Sequence, residues 1–166
     1  MPETEGVLIV DGANWAYALE ENTRVDFEAL VYRLQEATGI KIVGMTFYTA
    51  YRTEEDLSRR WLFMNYLKNL GWIVNAMPAT QGVDGRWRDK GVDIAIAIDA
   101  YEEVCSGRVK AILIGSGDAD FAALFRRLPE DVAGWVVSFK SAFAHELSEV
   151  ANSLFIEDLG VLFRES

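Results

Sequence analysis

The 166-residue chain is poor in the residues that build disulfides, soft-metal sites and helix breaks: it has one cysteine, one histidine and three prolines. Cys105 alone cannot close an internal disulfide, and with His145 as the only other soft ligand no Cys/His zinc site can be assembled. A reducing, cytoplasmic compartment is the expectation. The longest apolar stretches, such as the one around residues 94–98, fall far short of a bilayer, and the residues before VLIV form neither a basic leader region nor an apolar one. A soluble protein with no membrane partner is expected. Positive charge is scarce too: 16 Lys and Arg stand against 26 Asp and Glu, a net charge of −10. That balance argues against a basic protein that coats nucleic acid by displacing counterions. It does not exclude a local nucleic-acid site, because acids gathered around a cation lose part of their repulsion.

What is present is enough apolar residue, 51% of the chain, for a substantial core in one domain spanning 1–166. Runs rich in Val, Ile and Phe alternate with segments of helical period, the pattern of an α/β protein with a parallel sheet between helices. Strands are predicted at 7–11, 41–49, 72–76, 110–115 and 134–139, with a weak sixth at 154–156. Helices are predicted at 26–38, 54–70, 90–106, 119–128 and 141–152, the first three stopped by Gly39, Gly71 and Gly107 as left-handed caps and the fourth by Pro129. The one longer loop is TQGVDGRWRD, residues 80–89.

Five carboxylates fall at strand ends or within one apolar helix: Asp11, Asp93, Asp99, Asp118 and Asp120. Open parallel sheets bind ligands beyond the carboxyl ends of their strands, where the strand order reverses. With strand order 3-2-1-4-5, Asp11 and Asp118 lie at neighbouring strand ends and face one cleft. Asp93 opens a helix so apolar that burial on most sides is expected, and a carboxylate there needs a partner or a cation. Asp99 is six residues on, about 120° round the helix, and belongs to a second tier. Clustered acids raise one another's pKa unless a cation sits among them. Mg²⁺ or Mn²⁺ with oxygen ligands is the natural occupant, and metal-dependent phosphodiester chemistry the natural use.

Each acid also has a plainer role. Asp118 and Asp120 suit a helix N-terminus, Asp93 a first helical turn and Asp11 a turn before Gly12. Asn14 could cap the segment after the first strand or position a water or phosphate oxygen, and Ser116 has the same two readings. The coincidence of four acids on one sheet edge favours a functional cluster.

At DGAN, KGVDIAIAID and SGDADFAALFRRL the chain resembles the NYN domain family in its LabA-like branch, a group of PIN-like ribonucleases. The resemblance covers most of the chain, with the three motifs in order. It implies a PIN-like three-layer sandwich and an acidic metal site of Asp11, Asp93, Asp118 and Asp120. It also implies Asn14 beside that site and Asp99 as a further member; Ser116 and Lys90, by their place in the chain, are secondary candidates. The implied activity is hydrolysis of RNA by a divalent-metal-dependent ribonuclease.

Arg86, Trp87 and Arg88, near Lys90, combine charge with an aromatic face and are candidate contacts to single-stranded RNA; a solvated loop with one tucked Trp is the plainer reading. Arg52, Arg59, Arg60, Arg126 and Arg127 read as solvated charges. Trp61, Phe63, Met64 and Leu67 read as core, although Trp61 and Tyr66 could reach a partner subunit in a homodimer. The segment HELSE lacks a zincin's second His, so His145 has no catalytic role. A non-catalytic RNA- or protein-binding module that retains the acidic pocket is the alternative. Haloacid-dehalogenase-like phosphotransfer is disfavoured by Ala13, and GSGDAD matches no dinucleotide fingerprint.

Overall fold

A computed structural model describes residues 3–165. In chain order the elements are β1 (Thr4–Asp11), α1 (Gly12–Ala18), β2 (Thr23–Val25), α2 (Phe27–Thr38), β3 (Ile40–Tyr51), α3 (Glu54–Arg59), α4 (Trp61–Asn69), β4 (Ile73–Pro78), β5 (Thr80–Gln81), β6 (Trp87–Arg88), α5 (Lys90–Cys105), β7 (Ala111–Gly115), α6 (Ala122–Arg126), β8 (Ala133–Ser138), β9 (Asn152–Phe155) and β10 (Leu162–Arg164). Six of the strands form one parallel sheet in the order β4-β3-β1-β7-β8-β9. The five strands expected from sequence keep their expected order, and the weak sixth adds itself at the β8 edge.

Strand alternation in β1 sends Leu8 and Val10 to one side and Val7 and Ile9 to the other, and all four are buried. The first side is covered by Trp15 of α1, Phe27, Leu30 and Leu34 of α2, and Leu67 of α4. The second is covered by Val92, Ile96, Ala100 and Val104 of α5, with Phe121 and Phe125. Helices on both faces of a parallel sheet give the three-layer α/β sandwich, with β1 at its centre. Among the described residues no helix is long and apolar enough to cross a membrane.

Several elements depart from the sequence expectation. The helix predicted over 54–70 is two helices that meet at Arg60, whose guanidinium is drawn to Asp56 and Thr49. The one predicted over 119–128 is a 3-10 turn, Ala119–Phe121, followed by the short α6. No α-helix forms at 141–152; the chain makes 3-10 turns at Lys140–Ala142 and His145–Glu149, because the Ala144 N–H bonds the Gly117 carbonyl at 2.9 Å instead of propagating a helix. The 80–89 loop is a small hairpin in which β5 pairs with β6. Two elements were not anticipated: the short helix α1 and the antiparallel β2/β10 pair. The stops at Gly39, Gly71 and Gly107 all carry positive φ, as expected. Helix α5 is not buried on most sides: its core stripe recurs every four residues, and Ile94 and Ile98 are 61% and 54% exposed. Trp61, read as core, is 58% exposed.

Candidate metal centre

Strands β1 and β7 are hydrogen-bonded neighbours, with Val10 opposite Gly115, so the loops after them emerge side by side. Asp11 ends β1 as the N-cap of α1, and its Oδ1 accepts from the Asn14 N–H at 3.4 Å. Beyond β7, Ser116 is fully buried and its Oγ accepts from the Asp118 N–H at 3.2 Å. Asp118 in turn accepts from the Asp120 N–H at 2.9 Å. The loops are stitched together by Asn14, whose Oδ1 accepts from the Gly117 N–H at 3.2 Å. Position 117 has no room for a side chain, since a Cβ would strike the Ala142 carbonyl and the Ser138 hydroxyl.

Asp93, in the first turn of α5, joins this edge from the other side. One carboxylate oxygen from each of Asp93, Asp118 and Asp120 lies within 4.8 Å of the others. Asp11 is buried behind them and hydrogen-bonds Asp93. Asp118 thus combines a capping role with membership of the cluster, a carboxylate having two oxygens with which to accept, while Asp11 caps α1 and meets the cluster through Asp93.

The electrostatics follow from this packing. Burial, then the charges of Asp11 and Asp118, push the Asp93 carboxyl up to about 7. Burial also raises Asp11, against the pull of its hydrogen bonds from Asn14 and Asp93. Among the described residues none of the four acids has a Lys or Arg in ion-pair contact. The donor set is made of hard carboxylate oxygens with uncompensated charge, which suits Mg²⁺ or Mn²⁺ and not a soft metal.

The remaining candidates distribute unevenly. Asp99 is not at the cluster; it accepts from the Tyr48 hydroxyl at 2.9 Å and lies near Glu102, Glu103 and Arg108. Burial, aided by Asp99, pushes the Tyr48 hydroxyl up to about 12. Lys90 lines a cavity of about 270 Å³ with Asp93 and Asp120. Ser116 holds the backbone of Asp118 from within the core. Trp87 is half-buried, with the Arg52 guanidinium 5.7 Å from its ring centre, and Arg88 is paired with Asp84. Arg86 is exposed, its N–H donating to Asp84.

One residue escaped the sequence reading: Asp89, just before α5, whose charge raises both Asp11 and Asp93. Its only signal was its place two residues before Gly91 in RDKGVD, where it reads as the end of a loop.

No curated protein matches this chain. A crystal structure of a protein of unknown function from Vibrio parahaemolyticus has the same fold, with a TM-score of 0.76, 24% sequence identity and 97% of each chain covered. The model of the NYN domain matches residues 7–159, nearly the whole of the sheet and every acid of the cluster, and the chain belongs to the NYN domain family.

Proposed function

We propose that this NYN domain is a divalent-metal-dependent ribonuclease of the LabA-like branch, acting on single-stranded RNA in the cytoplasm. The family carries a PIN-like, nuclease-type fold, and the acidic cluster lies at the strand ends where such a sheet binds ligands. The observation that supports the reading is the meeting of Asp93, Asp118 and Asp120 oxygens within 4.8 Å, backed by Asp11 and, among the described residues, with no Lys or Arg in ion-pair contact.

Asp11, Asp93, Asp118 and Asp120 would hold the ion, which when bound supplies charge stabilisation for a phosphodiester and lowers the pKa of water. A bound cation would favour the charged form of Asp93, which burial and the neighbouring carboxylates otherwise disfavour. Asp120, exposed at the rim, is the carboxylate best reached by solvent and takes the role of proton acceptor from the attacking water. Asn14 fixes the spacing of the two loops and leaves its amide NH₂ for a phosphate oxygen. Arg86, Trp87 and Arg88, with Lys90, contribute to RNA binding beside the cluster.

The test is incubation of the purified protein with labelled single-stranded and structured RNAs in Mg²⁺, Mn²⁺ or chelator, beside Asp118→Asn. Cleavage is expected only with the ions, and Asp118→Asn should slow it by more than about a hundredfold, beyond what loss of a supporting partner costs. Cleavage that persists in chelator and in the variant overturns the mechanism. RNA binding without cleavage would replace it with a non-catalytic RNA-binding module.

A further inference from the structure

Next to the acidic cluster runs a groove of about 310 Å³ whose wall includes Gly12 and Ala13, directly after Asp11, and Asp89, whose charge reaches Asp11 and Asp93. Three guanidinium groups line it: Arg52, Arg60 and Arg88. Two are already engaged. Arg60 donates to Asp56 at 3.2 Å and to the Thr49 hydroxyl at 2.6 Å, and Arg88 holds Asp84 through both terminal nitrogens, at 3.2 and 2.9 Å. Arg52 differs. Among the described residues no carboxylate lies in ion-pair contact with its side chain, and its guanidinium stands over the Trp87 ring.

Its position is nevertheless fixed from both ends. The Arg52 N–H donates to Asp56 at 3.0 Å, and Trp87 is pinned by the pairing of β6 with β5. A guanidinium held over an aromatic ring by cation–π attraction, with no carboxylate on its N–H groups, keeps those donors for an oxyanion. In a chain of net charge −10, an anchored cation without a carboxylate partner beside an acidic cluster is a receptor for an anion. The cavity is at the small end of ligand sites, too small for a duplex.

We infer that Arg52, held over Trp87, binds a backbone phosphate of single-stranded RNA adjacent to the phosphodiester at the acidic cluster. The inference rests on the ribonuclease reading for its substrate class and assigns that substrate a second anchoring point. It also selects single strands, because the groove is too small to take a paired backbone.

The experiment measures binding by fluorescence anisotropy across a salt series, with a labelled single-stranded RNA and its duplex, in the Asp118→Asn background so that the probe stays intact. Arg52→Ala should weaken single-strand binding about tenfold and lower the slope of log affinity against log salt by about 0.7, one phosphate's worth. Arg52→Lys should keep that slope. Trp87→Ala, which removes the ring that holds the guanidinium, should weaken single-strand binding in the same direction as Arg52→Ala and by less. Circular dichroism melts of each variant establish that the fold is retained, which is expected because Arg52 is anchored by its main chain. An Arg52→Ala protein with unaltered affinity and slope overturns the inference, as does a duplex bound as tightly as the single strand. Failure of the wild type to cleave, with this binding pattern intact, counts against the nuclease reading and for the Arg52 site.

Discussion

Two groups of acids in this molecule have opposite electrostatic settings. Asp56, Asp84 and Asp131 are held below the usual carboxylate range by bonds from Arg52 and Arg60, from Arg88 and Arg86, and from Lys110 respectively. Asp11 and Asp93 are pushed up, with burial as the first cause and neighbouring carboxylates, not cations, around Asp93. Arg60, Arg88 and Lys110 pair with acids at or near the surface, while buried Asp11 and half-buried Asp93 have no cation in ion-pair contact among the described residues. Surface pairs of that kind contribute little to stability. The uncompensated cluster is therefore the place where a cation from solution has most to gain, and the contrast locates the chemistry better than acid content alone could.

The contrast can be sharpened by substitution. The largest effect on the ion-free protein is expected from Asp93→Asn, which removes a charge repelled by Asp11 and Asp118. Asp93 is only half-buried, so solvent screening leaves about 1 kcal/mol of gain, a rise in melting temperature of about 2–4 °C. Asp131→Asn, its paired counterpart, should produce no rise. A fall in melting temperature for Asp93→Asn would show that the cluster is not repulsive.

The two groups should also answer pH with opposite signs. The folded-state pKa of Asp93, at about 7, lies above its value of 3.8 in an unfolded chain, so the native state binds the extra proton between them. Stability of the ion-free protein should fall as pH rises from about 4 to about 7, and saturating Mg²⁺ or Mn²⁺ should abolish that slope. The lowered acids contribute stability that is present above the unfolded carboxylate value and lost below it. Thermal melts in chelator at several pH values check both signs; stability that rises through the 4–7 window would count against an elevated Asp93.

A smaller effect is expected from Asn14→Ala, which deletes the acceptor for Gly117 and loosens one acid-bearing loop against the other. The expected losses are about 0.5 kcal/mol in stability and about tenfold in metal affinity, read by denaturant melts and by calorimetric titration. Smallest of all is Asp99→Asn. It alters a bond to Tyr48 remote from the cluster, and cleavage and metal affinity should match the wild type; a hundredfold loss would return Asp99 to the site.

Much of this edge of the sheet was legible because its determinants are local. Val and Ile runs ended by Asp11 and Gly115, together with the glycine stops, mark where strands and helices finish, and the reversal rule places the ends of β1 and β7 together. Helical rotation separates Asp99 from Asp93 without coordinates. What escaped depends on partners distant in sequence. The 141–152 segment has a helical pattern, but Gly117 claims its Ala144 N–H. Helix α5 looks buried by composition, yet its exposed side is fixed by which neighbours the sheet provides. Arg52 and Arg60 are indistinguishable as letters; only the fold gives Arg60 a carboxylate and Arg52 a tryptophan ring.

The bond from Gly117 to Asn14 spans 103 residues of sequence. A nascent polypeptide that ends short of β7 has Asp11 and its loop but no Asp118, no Asp120 and nothing for Asn14 to grip. Whatever the cluster does, it can do only after the middle of the sheet has closed, so its chemistry is a property of the finished fold and of no fragment that stops before β7.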